Sequence, residues 1–198
     1  SHPGDSKTLH RLMKHSALKW SDAFVVLSEN VYTRLSQVTS KTIVKINHPI
    51  SEEIYFKHHE MFDENFESDV LFYGRLVKYK GIVRLAKAWE SVHKQYPNLK
   101  LRVAGIGDEK LIKKYFQETN GCELDYRYLN FQEIERLIAS TKLIVLPYEE
   151  ASQSGVIAEA VYFRKPYVIT PITGLVEQQM LFGGGFVAKD MSETAFAE

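Results

Sequence analysis

The stretch YGRLVKYKGIVRLAKAWE, Tyr73–Glu90, sets two cations and two glycines where an apolar run gives way to a helical pattern. Val70-Leu71-Phe72-Tyr73 reads as a buried strand stopping at Gly74; Arg75 follows at once, Lys80 comes five residues later, and Gly81 opens a helix. A helix start offers unbonded backbone N–H groups and the positive end of the helix dipole. Arginine presents a planar fork to phosphate oxygens, and lysine a mobile point charge. Flanking a single turn, Arg75 and Lys80 describe a pocket for a diphosphate. The plain alternative is a pair of solvated surface cations, and Lys78 in the same turn is read that way. A strand end, a helix start and glycines on both sides favour the phosphate site for the other two.

A second stretch, LPYEEASQSGVIAEAVYFRKPYVIT, runs from Leu146 to Thr170. A buried strand ends at Pro147, and the small-residue loop Ala151-Ser152-Gln153-Ser154-Gly155 opens another helix. Glu159 stands four residues after Gly155, about one turn inside that helix. Its carboxylate suits a diol such as a ribose, or is an exposed helix acid. Glu149 and Glu150 are either contacts to a sugar hydroxyl or exposed loop acids. Gly105-Ile106-Gly107 follows a strand but lacks the third glycine and the distant acid of a dinucleotide fingerprint, so it is expected to be a tight turn walling the pocket.

These sites need a scaffold that brings strand ends together, and the pattern supplies one. Strands are expected at Val70–Tyr73, Lys100–Ala104, Leu124–Tyr128, Leu143–Pro147, Tyr167–Thr170 and Phe186–Ala188. Helices are expected at Gly81–Tyr96, Glu109–Thr119, Gln132–Ser140, Gly155–Phe163 and Leu175–Leu181. Regular alternation of this kind predicts an α/β fold, a doubly wound parallel sheet with helices on both faces and ligands at the carboxyl ends of its strands. Upstream, Ala23–Leu27 and Thr42–Ile46 read as strands, and Ser28 as the N-cap of a helix over Val31–Gln37. Residues 51–68 have no clear period and read as a connector.

Composition narrows the chemistry. Lys+Arg and Asp+Glu both number 25 in 198 residues, so no global basic field holds a nucleic acid and any anion site is local. The single cysteine, Cys122, excludes an internal disulfide and reads as a plain thiol. His58-His59 has no third ligand at a useful spacing, and no acidic pair or cluster stands ready for a divalent cation; neither metal nor cofactor is expected. No apolar run approaches a membrane span, and the cytoplasm is the default compartment. The basic amphipathic pattern over Thr8–Trp20 is read as a solvated helix face, with a membrane-surface helix as the alternative.

GRLVKYKGIVRL and QSGVIAEAVYFRKPYVIT together resemble the C-terminal, donor-binding domain of family-four retaining glycosyltransferases of the GT-B fold. SDAFVVLSENV with IVKINHPI resembles the end of the acceptor domain and the crossover between domains. The resemblance implies a Rossmann-like half of that fold over 69–198, truncated at its C-terminus and preceded by an acceptor-domain remnant over 1–50. It implies that Arg75 and Lys80, beside Gly74, grip the diphosphate of a nucleotide-sugar and stabilise it as leaving group. Glu159 would bind the ribose, and Gln153, Ser154, Gly155 and Val156 would approach the sugar and phosphate. Many members carry two glutamates separated by seven residues; here the earlier position is Ala151, and Glu150 stands one residue too early. The implied activity is transfer of a sugar from a nucleotide-diphosphate-sugar to a saccharide or lipid-linked acceptor, with retention, without a metal, in polysaccharide or glycolipid synthesis. The implied place is the cytoplasm or the inner face of a membrane, and the acceptor site is expected outside this chain. A nucleotide-sugar epimerase of similar fold and a non-catalytic nucleotide-binding module are the rival readings.

Overall fold

The computed structural model describes residues 16–47 and 66–198. Most of the 51–68 connector, His58-His59 and the first half of the Thr8–Trp20 pattern lie outside the described residues; residues 16–20 are helical. The chain divides into two compact units, Ser1–Asn47 and His48–Glu198.

In the first unit β1 (Ala23–Val26) and β2 (Thr42–Lys45) pair in parallel through the connecting helix α1 (Glu29–Ser36). The Ser28 hydroxyl caps α1 by accepting from the Val31 N–H at 3.4 Å. Lys41 lies before β2 and donates through Nζ to the carbonyls of Leu18, Lys19 and Ser21 at 2.8, 2.9 and 2.7 Å. An ammonium thus satisfies the carbonyls that a helix end leaves unbonded.

The second unit is built on six parallel strands: β3 (Ser68–Leu76), β4 (Leu101–Gly107), β5 (Cys122–Tyr126), β6 (Thr141–Leu146), β7 (Tyr167–Ile169) and β8 (Gly185–Val187). Their spatial order is β5-β4-β3-β6-β7-β8. The chain therefore starts at the centre, winds outward to β5, returns to pair β6 with β3, and winds outward again to β8. Between the strands run α2 (Ile82–Gln95), α3 (Glu109–Phe116), α4 (Phe131–Ala139), α5 (Gly155–Tyr162) and α6 (Thr173–Phe182), and α7 (Glu193–Ala197) follows β8. The central strands are covered on both faces, so their residues are buried in runs rather than alternately: Leu71, Phe72 and Tyr73 on β3, Ile144, Val145 and Leu146 on β6. Helix α2 buries Ile82, Leu85, Ala86, Ala88 and Trp89 on one face, and its Trp89 indole donates to the Asn120 carbonyl at 2.9 Å. Side-chain caps set three further helix starts, Asp108 for α3, the Asn130–Glu133 capping box for α4, and Ser192 for α7, whereas α5 and α6 begin without one.

The doubly wound parallel sheet is as expected, with corrections at its ends. Strand β3 does not stop at Gly74 but continues to Leu76, so Arg75 is a strand residue. Gly105-Ile106-Gly107 is likewise no turn; it forms the last three residues of β4. The reason is a glycine-lined extension of the ladder. Gly74 pairs with Gly105 and Leu76 with Gly107. A Cβ on Gly105 would lie 1.9 Å from the Gly74 carbonyl oxygen, and one on Gly107 2.1 Å from that of Leu76. The glycines let two backbones approach, where the sequence suggested that they broke the strands. Strand β5 begins two residues earlier than expected, because Gly121 at φ +67° turns the chain and its carbonyl accepts from the Leu101 N–H at the start of β4. Helix α7 was not expected at all.

Gly105→Ala combines a positive φ with a backbone clash and should lower stability by about 2–3 kcal/mol, the cost of overpacking. Gly183→Ala, at a positive φ but with nothing within 4 Å, should lose only about 1 kcal/mol. Urea midpoints at unchanged slope measure both.

Candidate functional site

The winding reverses between β3 and β6, and the crevice above the carboxyl ends of these two strands is where open α/β sheets take ligands. Both stretches singled out in the sequence meet there. A 3-10 turn, Lys78–Lys80, follows β3 and ends on Gly81 at φ +74°. A Cβ on Gly81 would lie 1.7 Å from the carbonyl oxygen of Pro147, just past β6. The Glu149 N–H donates to the Tyr79 carbonyl at 2.8 Å, and Arg84 Nη1 donates to the carbonyls of Pro147 and Tyr148 at 2.7 and 3.2 Å. These contacts fasten the β3–α2 turn to the end of β6.

The two cations stand on this joint. Arg75 is exposed, donates to the Tyr79 hydroxyl, and has its guanidinium carbon 5.6 Å from the Tyr79 ring centre. Lys80 is half-buried, and its ammonium lies 3.7 Å from the centre of the Tyr148 ring. Loss of solvent, and secondarily the charge of Arg75, bring the Lys80 pKa down to about 8. Two positive groups are thus held close in a place that hydrates one of them poorly. Lys78 is exposed, as read from the sequence.

The opposite wall is the loop into α5. Ser154 is buried and bracketed by Gln178 of α6: the Ser154 N–H donates to Gln178 Oε1 at 2.7 Å, and Gln178 Nε2 donates to the Ser154 carbonyl at 3.2 Å. Its hydroxyl lies 3.3 Å from that of Tyr148, whose own pKa burial raises to about 12. The Ser154 amide, expected to reach for a ligand, is therefore engaged within the protein, and Gly155 and Val156 form the open first turn of α5. The side-chain oxygen of Gln153 is withdrawn from solvent without a protein partner. Gly174 supports the loop from α6; a Cβ there would lie 2.1 Å from the Ser152 carbonyl oxygen. Glu159, half-buried on α5, accepts the hydroxyl hydrogen of Tyr73. Glu150 is exposed beyond β6 and Glu149 half-buried. Gly74, exposed at φ +113°, lies beside Arg75.

Tyr73, Tyr79, Tyr148, Gly174 and Gln178 were missed by sequence reasoning. Tyr73 reads only as the end of a buried strand, Tyr79 and Tyr148 stand unmarked in a turn and a loop, and nothing marks one helix glutamine as a loop support. Among the described residues no three His, Cys, Asp or Glu side chains gather into a metal site, and no helix is long and apolar enough to cross a membrane. Burial, then Glu123, push the Cys122 thiol up to about 12, far from a thiolate nucleophile.

Residues 67–198 match the family model described as Glycosyl transferases group 1. The chain belongs to this family. Among curated relatives, the GDP-mannose:glycolipid 4-beta-D-mannosyltransferase of Xanthomonas campestris pv. campestris is 25% identical over 178 residues, covering 83% of this chain and 49% of that protein. The chain thus spans about half the length of the curated relatives it matches. Among solved structures, WaaG, a glycosyltransferase involved in lipopolysaccharide biosynthesis, superposes with a TM-score of 0.76 at 14% identity, over 97% of this chain and 57% of its own. Anabaena Alr3699/HepE, solved in complex with UDP and glucose, gives 0.72 at 18% identity, over 98% and 56%. The six-stranded unit of this group 1 glycosyl transferase chain is the Rossmann-like half of a GT-B fold.

Between pH 8 and 10.5 the folded chain has shed the Lys80 proton that an unfolded lysine still binds, so this residue's contribution to stability should rise with pH across that window. The urea midpoint of the wild type minus that of Lys80→Met, followed from pH 7 to 10, should climb.

Proposed function

We propose that this chain carries the donor site of a glycosyltransferase, binding a nucleotide-diphosphate-sugar in the crevice between the β3–α2 turn and the loop into α5. The observation that carries the reading is the convergence of Arg75 and a desolvated Lys80 on the carboxyl edge of the sheet at the switch between β3 and β6. Two cations that repel each other in a poorly hydrated place are stabilised together by an anion that bridges them. A diphosphate has the charge and length to do so, and the first turn of α5, at Gly155 and Val156, adds backbone donors from the facing wall. Glu159 takes the ribose, and Gln153 and Glu150 lie on the loop that faces the sugar.

The same groups serve the reaction. As the bond from the anomeric carbon to the diphosphate breaks, negative charge grows on the departing oxygens while the sugar takes on oxocarbenium character. Fixed cations and helix-start amides stabilise that charge without reorganising, and no divalent metal is needed for it. In this reading transfer goes with retention to a saccharide or lipid-linked acceptor, met at the cytoplasmic face of a membrane. Residues 69–198 are the donor domain, and the strands and helix of 1–50 belong to the end of an acceptor domain, joined through 51–68. The glycolipid and lipopolysaccharide named for the Xanthomonas relative and for WaaG support the acceptor class, and the GDP-mannose and UDP in such names support the donor class.

Arg75→Ala and Lys80→Ala should each weaken binding of a nucleoside diphosphate by roughly 1.5–3 kcal/mol, the size of a hydrogen bond to a charged group, and that of the free nucleoside far less. Calorimetric titration with UDP, GDP and their nucleosides tests this. Equal losses for diphosphate and nucleoside would overturn the assignment.

A further inference from the structure

We propose that Tyr73 is a positioning residue for the donor nucleotide: its hydroxyl fixes the Glu159 carboxylate in the orientation that receives the ribose hydroxyls. The inference rests on the donor-site reading above, and it joins two elements that the sequence gives no reason to connect.

Tyr73 lies on β3, only 6% exposed, and its hydroxyl donates to Oε2 of Glu159 on α5, 86 residues further along the chain. A buried tyrosine hydroxyl requires an acceptor, and a carboxylate makes the charge-assisted kind of bond. Burial and the neighbouring negative charge of Glu159 hold the Tyr73 pKa well above the tyrosine range, so the hydroxyl remains a donor at any working pH. Glutamate has three rotatable side-chain bonds, and a ligand that must first order such a side chain binds more weakly for it. Tyr73 orders it in advance.

The placement of Tyr73 adds a second consequence. Arg75 is two residues along the same strand. The carboxylate that takes the ribose and the guanidinium that takes the phosphates are therefore referenced to one rigid element. Their separation is set by β3 rather than by the loop that leads into α5. A group keyed in this way measures the distance between the sugar ring of a nucleoside and its diphosphate.

The purely structural alternative is that Glu159 merely satisfies a buried hydroxyl, and a ratio of affinities separates the two. The probes are UDP or GDP, whichever the wild-type chain binds more tightly, its 2′,3′-dideoxy analogue, and inorganic pyrophosphate. The wild type should prefer the nucleoside diphosphate over its dideoxy analogue by about tenfold, the size of one charge-assisted contact. Tyr73→Phe should bring this ratio close to one and leave the pyrophosphate affinity unchanged. Glu159→Ala should do the same, and the double variant should match Glu159→Ala alone. Because the ratio is internal to each variant, a general loss of stability does not imitate the effect. If Tyr73→Phe keeps the full preference while Glu159→Ala loses it, the positioning role is overturned and the donor-site reading survives. If the wild type shows no preference between the two nucleotides, the ribose role of Glu159 fails and the proposal falls with it.

Discussion

The bare Cα of Gly81 against the Pro147 carbonyl is the contact on which the rest of the site depends. In a doubly wound sheet the ligand crevice opens where the two central strands part at their carboxyl ends, and β3 and β6 are paired only from Ser68 to Leu71 against Thr141 to Ile144. Here the divergence is limited by a backbone-on-backbone contact that only glycine permits, on both steric and conformational grounds. Arg84 binds the same carbonyl, and the Glu149 amide binds the Tyr79 carbonyl beside it. The turn that carries Lys80 is thereby tied at both ends: to β3 by the chain, and to β6 by these contacts.

The electrostatic character of the site follows from that tie. A lysine on a free surface turn would extend into water and keep an ordinary pKa. Lys80 instead stands over the face of Tyr148, a ring fixed by burial and, through its backbone carbonyl, by the Thr170 hydroxyl at 2.7 Å. The ring attracts the ammonium, the surroundings strip part of its water, and Arg75 repels it. Any anion affinity at this edge is therefore stored as unfavourable solvation and repulsion, which an incoming phosphate would relieve.

The scaffold was legible in the sequence because periodicity reports burial. The unbroken apolar runs Val70-Leu71-Phe72-Tyr73 and Leu143-Ile144-Val145-Leu146 already require a sheet covered on both faces. The polar residues of the site stood out by their positions at strand ends and helix starts. What stayed hidden were relations between distant segments. Gly74 and Gly105 look like strand breakers until they are seen as register partners, and Gly81 looks like a helix opener until Pro147 is found against it. The tyrosines at 73 and 148 count as apolar in any pattern, whereas their hydroxyls face Glu159 and Ser154. Local spacing carries no information about which loop will meet which strand.

The Gln178–Ser154 pair has the form of a peptide group met by a copy of itself. A primary amide offers one donor and one acceptor in a plane, as the backbone does, so the loop into α5 is held as though a further strand ran beside it. A single side chain from a neighbouring helix supplies the equivalent of that strand. The arrangement makes position 178 unusually exacting. Glutamate has no hydrogen to return to the Ser154 carbonyl, leucine has neither group, and asparagine is one methylene short. Position 178 of α6 thus has its chemistry dictated by a loop two dozen residues earlier, as Gly174 on the same helix has its size dictated by that loop.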